Sequence, residues 1–210
     1  MMKKIILARH METVWNERLR YIGRTDLPLS ELGERHARAL AVAYADTPLG
    51  GIIHSGMKRA EQTAAVVAAG REIDISTENN LREIDFGEWE GLDFDQISAA
   101  YPHLADIWIE DPFAVHIPGG EPMIDFMVRV KTAWTRLRAG TLAGVLAKGG
   151  PLLIVTHAGC IKVILGMVMG LDDRKVWEIH QEKGAVNIVE VGEGGDTVVE
   201  INDTAYRDNS

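Results

Sequence analysis

Three stretches of the chain share one pattern, a short unbroken apolar run that stops at polar side chains. Ile5-Ile6-Leu7-Ala8 ends at Arg9-His10, Ile52-Ile53 at His54-Ser55, and Leu152-Leu153-Ile154-Val155 at Thr156-His157. A run without polar alternation has both faces covered, as in strands inside a largely parallel sheet. Between these runs apolar positions recur at helical spacing. In PLSELGERHARALAVAYAD, Ser30 is the candidate N-cap, and Leu32, Ala37, Leu40, Ala41 and Tyr44 fall at helical spacing. KRAEQTAAVVAAG is Ala-rich and closes at Gly70, a C′ glycine. EPMIDFMVRVKTAWTRLRAG puts Met123, Phe126, Met127, Val130, Trp134 and Leu137 on one face and stops near Gly140. A fourth helix, over Gly159 to Met169, follows directly on Thr156-His157. GAVNIVEVG and TVVEIN read as two strands joined by the turn EGGD, a hairpin at one edge.

Strands alternating with helices predict an α/β fold of three layers, α/β/α, with a mostly parallel central sheet and helices on both faces. The 210 residues suit a single domain over 1–210. Residues 86–120 are rich in Gly, Pro and Asp with isolated Trp, and predict a cap-like insertion over one end of the sheet. The final RDNS is expected to be frayed.

Composition narrows the function classes. Lys and Arg number 22 against 31 Asp and Glu, a net charge of −9. That excludes a nucleic-acid partner, whose binding needs a basic surface. It leaves room for a small anionic substrate, because a few Arg reverse the sign inside one cleft. The single cysteine, Cys160, forms no intrachain disulfide and suits a reducing cytosol. Only four apolar residues follow Lys3-Lys4, and the longest apolar stretch, Val163 to Leu171, is far short of the roughly 20 residues of a spanning helix. The expected protein is cytoplasmic and free of the membrane.

Ligands of open α/β sheets gather beyond the carboxyl ends of the strands. There the pattern places Arg9, His10, Ser55 and His157, with Arg59 in the following helix. Guanidinium forks match phosphate oxygens. An imidazole whose second nitrogen is held by a hydrogen bond is a competent nucleophile. Two of each in one crevice suit phosphoryl transfer to histidine, the cations stabilising the equatorial oxygens.

These residues resemble the histidine phosphatase superfamily, the phosphoglycerate mutase-like proteins. Arg9-His10-Met11-Glu12-Thr13-Val14-Trp15-Asn16 is similar to its Arg-His-Gly, Glu-Thr and Trp-Asn signature. The resemblance continues in family order through RYIGRTDLPLSELGERHA, SGMKRAEQTA, LREIDFGEWEG, PGGEP with its downstream Asp and Arg-Val, and VTHAGCIKVIL. It covers residues 3–190. It implies His10 as the nucleophile that forms a phosphohistidine, with Arg9, Arg59 and His157 binding the phosphoryl group and Asn16 hydrogen-bonding it. Glu83 would be the acid that protonates the leaving oxygen and then activates water. No metal or cofactor is implied, since Arg9 and Arg59 supply the charge. The implied activity is hydrolysis of a small phosphomonoester, closest to the alpha-ribazole phosphatase and broad-specificity branch, with alpha-ribazole 5′-phosphate as one substrate. The alternatives are a phosphoglycerate mutase, or a catalytically impaired phosphoryl-binding module. The mutase branch has Glu-Arg-His-Tyr-Gly where this chain reads Glu83-Ile84-Asp85-Phe86-Gly87.

The chain departs from the family at Met11, which stands in place of Gly and is expected either to narrow the cleft, to shift the His10 backbone, or to be tolerated at a negative φ. Gly56 and His36 replace the usual Pro and Gln. His54, His103, His116 and His180 are expected in structural or surface roles, with His116 a candidate for the substrate mouth. Trp89, Trp108 and Trp134 are expected as packing residues, as is Cys160.

Overall fold

The computed structural model describes residues 3–140, 150–192 and 194–209. The three apolar runs form β1 (Lys3–Arg9), β2 (Gly51–His54) and β4 (Leu152–Thr156). A short β3 (Ile75–Thr77), exposed along its length, was not foreshadowed by any apolar run. β5 (Val186–Gly192) and β6 (Gly195–Asp203) form the expected hairpin; Glu193 of its turn lies outside the described residues. The sheet order is β3-β2-β4-β1-β5-β6. β3, β2, β4 and β1 pair in parallel, and β5 and β6 are antiparallel additions at one side.

Strand side chains alternate between faces, so each buried run feeds two cores. Ile5, Leu7, Ile53, Leu152 and Ile154 pack on one face, Ile6, Ala8, Ile52, Leu153 and Val155 on the other. After the single turn α1 (Val14–Glu17), α2 (Glu31–Ala43) and α3 (Lys58–Ala68) cover the second face through Ala37, Leu40, Ala60, Ala64 and Val67. α6 (Met123–Ala139) and α7 (Ala158–Met169) cover the first, and all six apolar positions predicted for the face of α6 are buried. Ser30 caps α2 by accepting from Gly33 N at 3.1 Å. Ala69 is the C-cap of α3, and Gly70 beyond it has φ +74°.

Between Gly87 and Gly120 the chain builds a smaller apolar cluster of Trp89, Ile97, Ala105, Val115 and Ile117. It includes two helices absent from the sequence expectation. α4 (Phe94–Ala100) opens on an Asp93–Gln96 capping box, and α5 (Pro102–Glu110) starts with proline. The C-terminal expectation is corrected for Arg207–Asn209, while Ser210 lies outside the described residues. Ala205–Asn209 forms a 3₁₀ turn, and Tyr206 is buried with its hydroxyl donating to Gly184 O at 2.6 Å.

Register levels the carboxyl ends of the central strands. Arg9 pairs with Thr156 and His54 with Val155, so His10, Ser55 and His157 leave the sheet side by side. His10 N donates to Thr156 O at 2.9 Å, and Ser55 N to Val155 O at 3.2 Å.

Candidate active site

The His10 ring is held in one tautomer. Its Nδ1 lies 2.7 Å from the Met11 carbonyl oxygen, which can only accept, so Nδ1 carries the proton and Nε2 keeps its lone pair. Arg59 Nε donates to that Nε2 at 3.2 Å. Burial first, then the Arg59 and Arg9 guanidiniums, hold the His10 pKa well below its ordinary 6.5. The ring is therefore neutral at pH 7, with its free nitrogen against a cation.

Arg59, the second residue of α3, is fully buried and donates to Thr25 O at 2.9 Å and Gly23 O at 2.8 Å. Burial pulls its pKa down to about 10, against the pull of Glu83, Glu90 and Asp26, and it stays charged at neutral pH. The His157 ring sits 5.0 Å from that of His10, centroid to centroid. Its Nε2 is 2.8 Å from Ser55 Oγ, and its Nδ1 has no partner among the described residues. Burial, helped by Arg59, also holds this imidazole pKa well below 6.5. Arg9 donates to Gln181 O at 2.6 Å, while its Nε has no partner among the described residues. Buried polar groups in native proteins are almost always paired, so two unpaired ones in one crevice mark a place for a ligand.

Asn16 and Glu83 line a cavity of about 350 Å³ whose wall also includes Arg9. Asn16 Oδ1 accepts from Thr13 N at 3.2 Å and Thr13 Oγ1 at 3.0 Å, closing a capping box. That fixes the amide orientation and leaves Nδ2 as the free donor. Glu83 Oε2 accepts from Gly159 N at 3.1 Å, in the first turn of α7, and Oε1 from Ile84 N at 3.2 Å. A Cβ on Gly159 would stand 2.4 Å from Glu83 Oε1, so only glycine admits the carboxylate there. Behind Glu83, Arg129 of α6 grips the loop. It donates to the carbonyls of Asn80, Arg82 and Glu83 and to both oxygens of Glu121. Tyr21, Phe86, Trp108 and Trp177 make the aromatic walls of the cavity. Among the described residues no three His, Cys, Asp or Glu side chains gather as a metal-holding group.

The profile of the histidine phosphatase superfamily (branch 1) matches residues 5–204. The chain belongs to the histidine phosphatase superfamily. Phosphoserine phosphatase 1 of Hydrogenobacter thermophilus is 28% identical over 207 residues, covering 98% of this chain and 94% of that protein. The bifunctional protein Rv2228c of Mycobacterium tuberculosis is 30% identical over 205 residues; the match takes in 97% of this chain but spans only 54% of the relative's length. The alpha-ribazole phosphatase of Shigella flexneri shares the fold with a TM-score of 0.85, at 23% identity over 95% of this chain and 96% of that one.

In this histidine phosphatase the six residues singled out from sequence gather at one end of the sheet, Arg9, Asn16 and Glu83 on the cavity wall and His10, Arg59 and His157 buried against one another. Trp89 and Trp134 are core, whereas Trp108 lines the cavity as well as packing. His54 has a structural role, accepting from Gly56 N and meeting Thr77 Oγ1. His116 is exposed and is not part of the cavity wall, contrary to its candidacy for the mouth. Cys160 is buried, with Sγ on the Leu81 and Arg82 carbonyls at 3.2 Å, and burial pushes its thiol pKa up. Met11 does not narrow the cleft. Its φ is not positive, and its side chain points away into the core shared with Ala8, Leu29 and Tyr206. Sequence reasoning missed Arg20, Lys162, Lys183 and Trp177, which also line the cavity. The available signals were Arg20 four residues after Asn16 and Lys162 one helical turn after Gly159.

Two buried neutral imidazoles make stability depend on pH. In the unfolded chain both titrate near 6.5, so below that pH the unfolded state binds more protons and the slope of unfolding free energy with pH is positive. The contribution of these two imidazoles is constant above pH 6.5 and stability falls as pH drops from 6.5 toward their native pKa values. The loss approaches about 1.4 kcal/mol per pH unit for each imidazole. Urea midpoints measured from pH 7 to 5 should fall, with a shallower slope in His10→Ala; midpoints flat over that range would contradict the assignment.

Proposed function

We propose that this histidine phosphatase hydrolyses a small phosphomonoester through a phosphohistidine at His10 Nε2. The observation that carries the reading is the His10 ring, neutral, protonated at Nδ1 and with its lone pair beside Arg59. The phosphoryl group takes the place facing Nε2, with Arg59 turning its Nε–H from the ring to a phosphoryl oxygen. Arg9 Nε, Asn16 Nδ2 and His157 Nδ1 are further donors. Ser55 supports His157 in this role, its hydroxyl donating to Nε2 so that Nδ1 bears the proton.

In the first step Nε2 bonds to phosphorus as the P–O ester bond breaks, and protonated Glu83 gives its proton to the departing oxygen. In the second, the Glu83 carboxylate takes a proton from water, the new P–O bond forms and the N–P bond breaks, releasing phosphate. The residue 87–120 cluster serves as a cap, contributing Trp108 to the wall. Among the described residues no helix is long and apolar enough to cross a membrane.

Transfer between hydroxyls has less support. Where the mutase branch has arginine this chain has Ile84, an uncharged side chain on the cavity wall that offers a substrate carboxylate no anchor. The impaired-module reading rested on Met11, whose side chain is in the core. Phosphate release from p-nitrophenyl phosphate without added metal tests the proposal, alongside interconversion of 2- and 3-phosphoglycerate. Hydrolysis faster than interconversion is expected; no phosphate release, or faster interconversion, would overturn it.

A further inference from the structure

The cavity wall carries more positive charge than one phosphate requires. In a chain with a net charge of −9, four cations line this cavity, Arg9, Arg20, Lys162 and Lys183, against the single carboxylate of Glu83. The buried Arg59 adds a fifth cation beside His10. Arg9 and Arg59 match the phosphoryl group. The other three form no salt bridge among the described residues, although Glu83 acts on Lys162 and Lys183 on Glu182 through space, whereas Arg129, Lys131, Arg136, Arg138 and Arg174 are each ion-paired elsewhere.

All three are half-buried. Lys162 Nζ donates to Trp177 O at 3.0 Å and lies 5.7 Å from the Trp177 ring centroid, which uses neutral partners and leaves ammonium protons to spare. Partial desolvation of a cation without a counter-ion is unfavourable and is offset when an anion enters. Each cation is a short step along the chain from a residue of the site. Arg20 follows Asn16 by four residues, Lys162 follows Gly159 by three, and Lys183 precedes Gly184, whose N–H donates to His10 O at 3.2 Å.

We infer that Arg20, Lys162 and Lys183 form a second anion subsite, so that the substrate is a phosphomonoester whose alcohol part carries another anionic group. This rests on the phosphatase reading and sharpens it. It ranks such esters above alpha-ribazole 5′-phosphate, which has one anionic group. A carboxylate and a second phosphate present the same chemistry to these cations, and two matched substrate pairs separate them. 3-Phosphoglycerate and glycerol 3-phosphate differ by a carboxylate; fructose 1,6-bisphosphate and fructose 6-phosphate differ by a phosphate.

In at least one pair kcat/KM should favour the doubly anionic member by about 10-fold or more, the scale of a charge-assisted contact in a sheltered site. The pair that shows the preference names the group. Lys162→Met combined with Lys183→Met should collapse the ratio toward one. Equal or reversed preference in both pairs, or a preference that survives the double variant, would overturn the subsite. Calorimetric affinities of the same four compounds for His10→Ala protein give the ratio without turnover. An affinity ratio lost in the double variant, with no turnover by the wild type, would sustain the subsite and overturn the phosphatase reading alone.

Discussion

His10→Ala is expected to lower kcat by at least about 10⁴-fold, equivalent to about 5.5 kcal/mol of transition-state stabilisation. The effect is large because the variant loses a step, not a contact. Without the imidazole no side chain in the crevice combines a free lone pair with neutrality at pH 7. Ser55 Oγ is engaged with His157, and the His157 Nε2 lone pair faces that hydroxyl in the arrangement proposed. The substrate would still meet Arg9, Arg59 and Asn16, so binding of inorganic phosphate should weaken far less than turnover. Residual activity within 10-fold of wild type would remove His10 from the chemistry.

Glu83→Gln should cost about 10²- to 10⁴-fold in kcat/KM with an alkyl phosphomonoester, the usual range for a positioned proton donor, and that loss should depend on the leaving group. p-Nitrophenolate departs readily without a proton, whereas an alkyl alkoxide does not. The defect in kcat/KM, which reports the first step, should therefore be small with p-nitrophenyl phosphate and large with glycerol 3-phosphate. Water activation in the second step suffers alike with both. The substitution preserves shape, but a single amide oxygen cannot accept from both Gly159 N and Ile84 N as the carboxylate does. A purely structural disturbance would slow both substrates alike. Equal defects would assign Glu83 to positioning and leave the leaving oxygen without its proton donor.

The parts of the fold legible in sequence are those where burial is two-sided. β1, β2 and β4 announce themselves because an unbroken apolar run has no other stable place. The helix α6 is equally plain, since its six core positions recur at helical spacing along 17 residues. β3 was invisible because three exposed residues carry no periodicity. α4 and α5 were missed because Gly and Pro around them dominate the local pattern, although the Asp93–Gln96 cap and Pro102 were signals of helix starts.

The site divides in the same way. His10, Ser55 and His157 could be placed together because strand ends of one parallel sheet converge. Arg20, Lys162 and Lys183 come from a loop, a helix and a turn, with no shared motif to join them. Met11 shows the converse limit. Its identity suggested an obstructed cleft, yet the chain at that point aims the side chain beneath the sheet's edge, where Tyr206 OH meets its sulfur at 3.4 Å. That contact comes from the C-terminal turn, one residue before the polar RDNS ending, and no motif links it to Met11.

The central claim is a covalent phosphoryl group on one named atom. Mixing the enzyme with a radiolabelled phosphomonoester, quenching in alkali within the first turnovers and mapping the label by peptide mass spectrometry tests it most directly. The account predicts an acid-labile, alkali-stable phosphoramidate on His10 Nε2 that disappears on a chase with unlabelled substrate. Phosphate release with no protein-bound label, or label on another residue, would contradict it.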